Sequence, residues 1–213
     1  MRNLKVTAHL AAPLAGDAPQ LDALLIYKQS LHHNCDRAWP APRQEKGCIP
    51  LAREWLGDWY VFRSSSPVVG PCSESVDHYT RRTPVEHASL LAANKRTVVA
   101  TGNSWTKSYR LPLRIRNVDR VVWFVVGEGS PLRKILKRTA SIGKKTSFGY
   151  GLVSRWTVEE VEHDWSWFAD AVLMRPLPLA SLPDGIIGWR RDFGACVPPY
   201  WHPERYTEIV TPC

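Results

Sequence analysis

Two strand-to-helix units predict an α+β fold of the ferredoxin-like, RNA-recognition-motif-like kind. The first unit runs from Lys5 to His33 and the second from Arg120 to Gly143, and each leads on to a further strand-like block. Between them lies a stretch of alternating basic and apolar residues, which reads as an inserted β-hairpin; an irregular extension closes the chain. The order strand, helix, strand, insertion, strand, helix, strand is that of the split βαβ topology.

Lys5 to Leu10 is short, carries β-branched residues and is followed by Pro13 and Gly16-Asp17, so it predicts a strand running into a loop. Leu21, Leu24, Leu25 and Leu31 then mark one face of a helix reaching about His33. Residues 34–57 hold Pro40, Pro42, Gly47 and Pro50 and read as an irregular return to Trp59-Tyr60-Val61-Phe62, expected as the second strand of the main sheet. From Ser73 onward there is no settled period until Thr97. Thr97 to Ile115 predicts the basic hairpin, turning at Gly102-Asn103, with Arg110, Arg114 and Arg116 on one face and Leu111, Leu113 and Ile115 on the other.

Arg120 to Val126 is a continuous apolar block and predicts a central strand buried on both faces. Ser130 is expected as the N-cap of the helix that follows, with Pro131 in the first turn, Leu132, Ile135, Leu136 and Ala140 as the buried stripe and Gly143 as the stop. Leu152 to Val161 alternates and predicts the last strand. Residues 162–213 are rich in Trp and Pro, with Trp165, Trp167, Trp189 and Trp201, and show little period. The expected organisation is a domain over residues 1–161, with a thumb-like insertion at about 77–117, and an ordered extension over 162–213 that packs on the domain or on a partner.

The chain has 213 residues and a formal net charge of +8. From His87 to Val158, fourteen Lys and Arg face only Asp119 and Glu128, a local excess of +12, and the remaining residues sum to −4. So localised a surplus points to a polyanion-binding surface. An apolar content of 44% excludes wholesale disorder, and no apolar run approaches the length of a membrane helix. Arg2 and Lys5 before Val6 to Ala12 imitate a signal peptide, but His9 and Pro13 interrupt it. Five cysteines, an odd number, fit a reducing cytoplasmic setting. His32, His33, Cys35 and Cys48 read equally as a mixed zinc set and as free side chains, and no metal or cofactor is expected.

The sharpest motif is Gly143-Lys144-Lys145-Thr146-Ser147-Phe148-Gly149-Tyr150-Gly151. Its glycines admit positive φ and close backbone approach, its lysines and hydroxyls suit phosphates, and Phe148 or Tyr150 suits stacking on a base. It follows a helix and precedes a strand, the reverse of a Walker loop. Arg133, Lys134, Lys137 and Arg138 on the preceding helix add four cations.

With this loop, a basic insertion and a ferredoxin-like order, the sequence resembles the RAMP proteins of CRISPR-Cas systems. Val6 to Asp17, Leu21 to Leu24 and Gly143 to Trp156 are similar, more closely, to the Csf-three (Cas-five-like) subunits of type IV CRISPR-Cas effector complexes. The resemblance implies a noncatalytic subunit, one copy per complex, that binds the 5′ repeat-derived handle of the CRISPR guide RNA and caps a filament of backbone RAMP subunits. It implies contact with the large subunit and a position near target DNA. Gly143 to Gly151 match the loop that meets the RNA backbone; Lys107, Arg110, Arg114 and Arg116 fall in the thumb, which reaches RNA, DNA or a neighbouring subunit.

Two alternatives remain. Related RAMPs cleave repeat RNA, for which His9, His32 or His33 with Tyr150 or Lys145 are the candidate groups. An unrelated RRM-like RNA-binding protein is the other, although no aromatic RNP-like strand is present.

Overall fold

The computed structural model describes residues 1–32, 49–82 and 108–213. It is a mixed α+β structure built mainly of antiparallel strands. In the main sheet, β1 (Arg2–Leu10) lies in the interior, with β8 (Arg120–Gly127) on one side and β9 (Val153–Glu160) on the other, both antiparallel. β5 (Val68–Val69) adds to the far side of β8, giving the order β5-β8-β1-β9.

The alternation in β1 and β8 sets the core. Leu4, Val6 and Ala8 lie opposite Val125, Trp123 and Val121 in the register, so their side chains share a face. That face shares one buried cluster with Leu21 and Leu25 of α1 (Leu21–His32) and Leu132 and Leu136 of α2 (Gly129–Lys137). The buried Trp123 indole N–H donates to the Pro19 carbonyl at 3.1 Å. On the opposite face of β8, Val122, Phe124 and Val126 are only half-buried, so the strand is not sealed on both sides as its unbroken apolar run suggests. Phe124 meets Trp165 edge-on at 5.0 Å.

Several sequence expectations are corrected. Trp59–Phe62 forms β4, but it pairs with β3 (Arg53–Leu56) in a separate two-stranded hairpin; the main sheet takes β5 and the bridge of Ser64 to Val125 instead. Four aromatic or branched residues carry strand propensity, yet propensity does not choose the partner. α2 is capped at Glu128, with no side-chain cap bond, and stops at Arg138, well before Gly143. Ser130 therefore lies inside the first turn. β7 (Tyr109–Asn117) pairs with β6 (Ser73–Arg81) in a hairpin, and β2 (Leu14–Ala15) joins the other edge of β7 at Ile115 and Arg116. Thr97 to Thr101, the Gly102-Asn103 turn and Lys107 lie outside the described residues, as do His33, Cys35 and Cys48 and the side chain of His32.

Residues 162–213 are not irregular. β10 (Phe168–Ala169) pairs with β11 (Val172–Leu173), and β12 (Leu177–Pro178), β14 (Tyr206–Pro212) and β13 (Trp189–Ala195) form a sheet in that order. They enclose a second core of Trp167, Leu173, Leu177, Cys196, Val197, Ile209 and Val210, which Val61 of β4 completes. The Trp167 indole donates to the Phe62 carbonyl at 2.9 Å, and Arg63 stacks on the Trp167 ring at 4.4 Å while pairing with Asp164.

A buried ion pair joins the two cores. Arg175 Nη2 donates to Asp22 Oδ2 at 2.7 Å, and neither side chain is exposed to solvent. The same guanidinium donates to the carbonyls of Ser64, at 2.9 Å, and Cys196, at 3.0 Å, while the Tyr200 hydroxyl donates to Asp22 at 2.8 Å. Removing one partner strands the other in a dry site. Arg175→Ala is expected to lower unfolding free energy by about 3–5 kcal/mol and Tyr200→Phe by about 1 kcal/mol, both measured by urea denaturation.

Candidate nucleic-acid interface

Between Ser141 and Leu152, which bridge each other, residues 143–151 form a closed loop rather than an open glycine tether. Gly143 takes a φ of +86°, and a Cβ there would meet Leu14 Cδ1 at 2.7 Å. Gly151 has a φ of +61° and is packed so that a Cβ would collide with the Ile142 carbonyl. Both positions therefore require glycine, for conformation and for space. Lys144 N–H donates to the Ala15 carbonyl at 2.9 Å and Gly151 N–H to the Pro13 carbonyl at 2.8 Å, seating both ends of the loop on the turn after β1.

The loop's flank rests on the hairpin. Tyr150 donates to Asp77 Oδ2 at 2.5 Å, Lys145 Nζ lies 3.5 Å from the centroid of the Tyr79 ring, and Phe148 meets the same ring edge-on at 5.3 Å. Asp77 and Tyr79 alternate on β6, so both project to the same side. The hydrogen bond from Tyr150, with a second from the His78 backbone, lowers the Asp77 carboxyl below its usual range; the same bond raises the Tyr150 phenol. Thr146 and Ser147 are exposed at the crest in a short 3₁₀ turn, and Phe148 is 63% exposed beside them. The loop thus presents hydroxyls, a ring and two cations on a braced backbone.

The other predicted cations do not form one stripe. Arg133 Nη2 donates to the Val158 carbonyl of β9 at 2.7 Å. Arg133 and Lys137 line a groove against Arg155 and Trp156, whereas Lys134 and Arg138 line another with Gln29 and Glu128. In the hairpin, Glu74 lies opposite Arg116 and diagonal to Arg114; it accepts from Arg114 Nη2 at 2.6 Å and from Arg116 Nε at 3.1 Å. Asp17 takes Arg116 Nη1 at 3.1 Å. The Arg114 hydrogen bond, followed by the charges of both arginines, lowers the Glu74 carboxyl, and Arg114 is raised in return. These two arginines are neutralised within the fold. Arg110 is exposed and lines a shallow depression with Arg81 and Arg82. Leu111, expected on the apolar face, is 52% exposed, while Ile115 is buried.

Sequence reasoning missed Asp77 and Tyr79 because Ser73 to Arg81 alternates between two polar faces and carries no apolar period. Among the described residues no cluster of three His, Cys, Asp or Glu side chains is suited to a metal, and no helix is long and apolar enough to cross a membrane.

A family model described as CRISPR type IV associated protein Csf3 matches residues 2–212 of the 213. The chain belongs to the Csf3 family. No curated protein matches it. The match spans both cores, so the Csf3 assignment includes the C-terminal sheet as well as the glycine-rich loop, and it supports a role in the type IV effector complex.

The Asp77–Tyr150 contact has a defined pH window. Asp77, lowered in the fold, contributes fully above the ordinary carboxylate range and is lost as pH falls through its depressed value. Tyr150, raised in the fold, contributes fully below the ordinary phenol range and is lost as pH rises through its elevated value. Amide hydrogen exchange of residues 143–151 near neutral pH is expected to quicken in Tyr150→Phe, with the main-sheet amides unchanged.

Proposed function

We propose that this Csf3-family protein is a noncatalytic guide-RNA-binding subunit of a type IV CRISPR-Cas ribonucleoprotein, holding the 5′ repeat-derived handle and capping the filament of backbone RAMP subunits. The observation that carries this reading is the braced loop at 143–151: its ends are seated by Gly143 and Gly151, and its crest offers Thr146, Ser147 and Phe148 directly after Lys144 and Lys145. Backbone N–H groups, hydroxyls and ammonium groups meet phosphates, and an exposed ring stacks on an unpaired base. Lys145 keeps its ammonium at the loop surface by resting on Tyr79, which orients the charge without cancelling it.

A ferredoxin-like, RAMP-type architecture is part of the proposal. The antiparallel order β9-β1-β8-β5, with α1 and α2 sharing a core with the central strands, supports it. The β6–β7 hairpin is the proposed thumb, reaching guide RNA, target DNA or a neighbouring subunit through Arg110. Proximity to target DNA gives the subunit a part in recognising the flanking motif, and the complex works in the cytoplasm. The noncatalytic assignment is supported by Tyr150, one of the groups proposed for strand scission, whose hydroxyl is committed to Asp77.

Titration of fluorescent repeat-derived RNA over a range of salt tests the proposal. Lys144→Ala/Lys145→Ala is expected to weaken binding and to flatten the log K against log salt slope by about one for each phosphate no longer neutralised. Unchanged affinity would remove the loop from RNA binding. Site-specific cleavage of that RNA by the purified chain, abolished by His9→Ala, would establish the nuclease instead.

A further inference from the structure

Among the described residues β13 is the edge of the C-terminal sheet, and its aromatic side chains are exposed. Trp189, Arg191 and Phe193 alternate on one face, with Phe193 66% exposed and Tyr206 of β14 edge-on to it at 6.1 Å. The Gly188 carbonyl accepts from Cys213 N–H at 3.0 Å, which fixes the phase of the ladder. In an antiparallel pair the backbone groups of successive residues point alternately to either side. Those of Trp189, Arg191 and Phe193 therefore point away from β14, to the open edge. The Phe193 N–H is taken by the Asp192 carboxylate at 2.8 Å, leaving the outward N–H groups of Trp189 and Arg191 and the carbonyls beside them.

Natural edge strands are normally short, bulged or covered, because an open ladder beside apolar side chains recruits another strand. We propose that β13 is a strand-addition site for an extended segment of a partner protein in the effector complex, one that places an acidic residue against Arg191 between apolar residues that cover Trp189 and Phe193. Charge selects this occupant. Arg190 and Arg191 are exposed, and no carboxylate within the described residues pairs with them; Arg190 reaches only the Thr211 hydroxyl. A polynucleotide is disfavoured because residues 162–213 carry four arginines against seven acids, and Glu208 stands directly opposite Phe193 on the aromatic face. Main-chain bonds would supply affinity and the alternating pockets specificity. This inference rests on membership of an effector complex and not on RNA binding by residues 143–151.

Amide hydrogen exchange on three samples tests it: the purified chain, the chain with repeat-derived RNA, and the assembled effector complex. The expected result is slowing of the Trp189 and Arg191 amides by about tenfold or more in the complex alone. Phe193→Asp and Arg191→Glu, both at exposed positions, are each expected to reduce incorporation into the complex by about tenfold while the free chain keeps its affinity for repeat RNA. Unslowed amides in the complex, or normal incorporation of both variants, would overturn the proposal. Slowing by RNA alone would instead make the edge a nucleic-acid surface, and slowing that grows with concentration of the free chain would make it a self-association surface; either result also overturns it.

Discussion

Arg175 and Asp22 meet with no solvent-exposed surface on either side chain, and their pairing governs how the two cores of the protein fit together. Taking one such charge out of water without a partner costs several kcal/mol. Here the carboxylate receives both the guanidinium and the Tyr200 hydroxyl, and the guanidinium also donates to the carbonyls of Ser64 and Cys196. The partners come from the first turn of α1, the turn after β4 and two parts of the C-terminal unit. Displacing the Asp22 or Arg175 segment would orphan a charge, and displacing either of the others would cost the pair a buried hydrogen bond. Burial raises the Tyr200 phenol and raises the Cys196 thiol to about 11, so both stay neutral around the pair; burial is the largest influence on Arg175 and opposes its charge, and the groups around it, Asp22 first, together hold the guanidinium above its usual range.

The candidate interface depends on this arrangement through β1. That strand carries the main core on its Leu4, Val6 and Ala8 face and then delivers the turn at residues 13–16 on which the glycine-rich loop sits. Three elements distant in sequence, the β1 turn, β6 and the loop itself, thereby form one surface. Local electrostatics refine what the surface offers. Glu74 and Asp17 absorb Arg114 and Arg116, and Arg133 serves the backbone of β9, so the fold converts part of the basic segment from binding groups into structural ones.

The parts of this structure readable from the chain are those governed by local patterns. Leu21, Leu24 and Leu25 of α1 and Leu132 and Leu136 of α2 report burial directly, because their period is that of the element they form, whereas the unbroken run Val121 to Val126 reports a strand but not its half-buried face. The glycines of the loop are equally legible, since positive φ and lack of space leave little choice of residue. Partner choice is less so. Trp59 to Phe62 looks like a main-sheet strand, yet its mate is the adjacent β3, and β7 finds its mate across residues that show no apolar alternation. Net charge also misled: Glu74 and Asp17 lie outside the basic window, and only the strand register brings them to Arg114 and Arg116. In the C-terminal unit, strands of two residues such as β10 and β11 are too short to display a period at all.

The bond between Asp22 and Arg175 spans 153 residues of chain, and that to Tyr200 spans 178. During synthesis at about 5–20 residues per second, roughly 8–30 s separate the making of Asp22 from that of its guanidinium partner. Until then Asp22 must remain hydrated, so the first turn of α1 cannot settle into its final dry position. Long-range closure of this kind makes acquisition of the native state a late event. A ribosome stalled before Arg175 would hold a chain in which β1 and β8 have been made but the group that fastens α1 to the C-terminal unit has not.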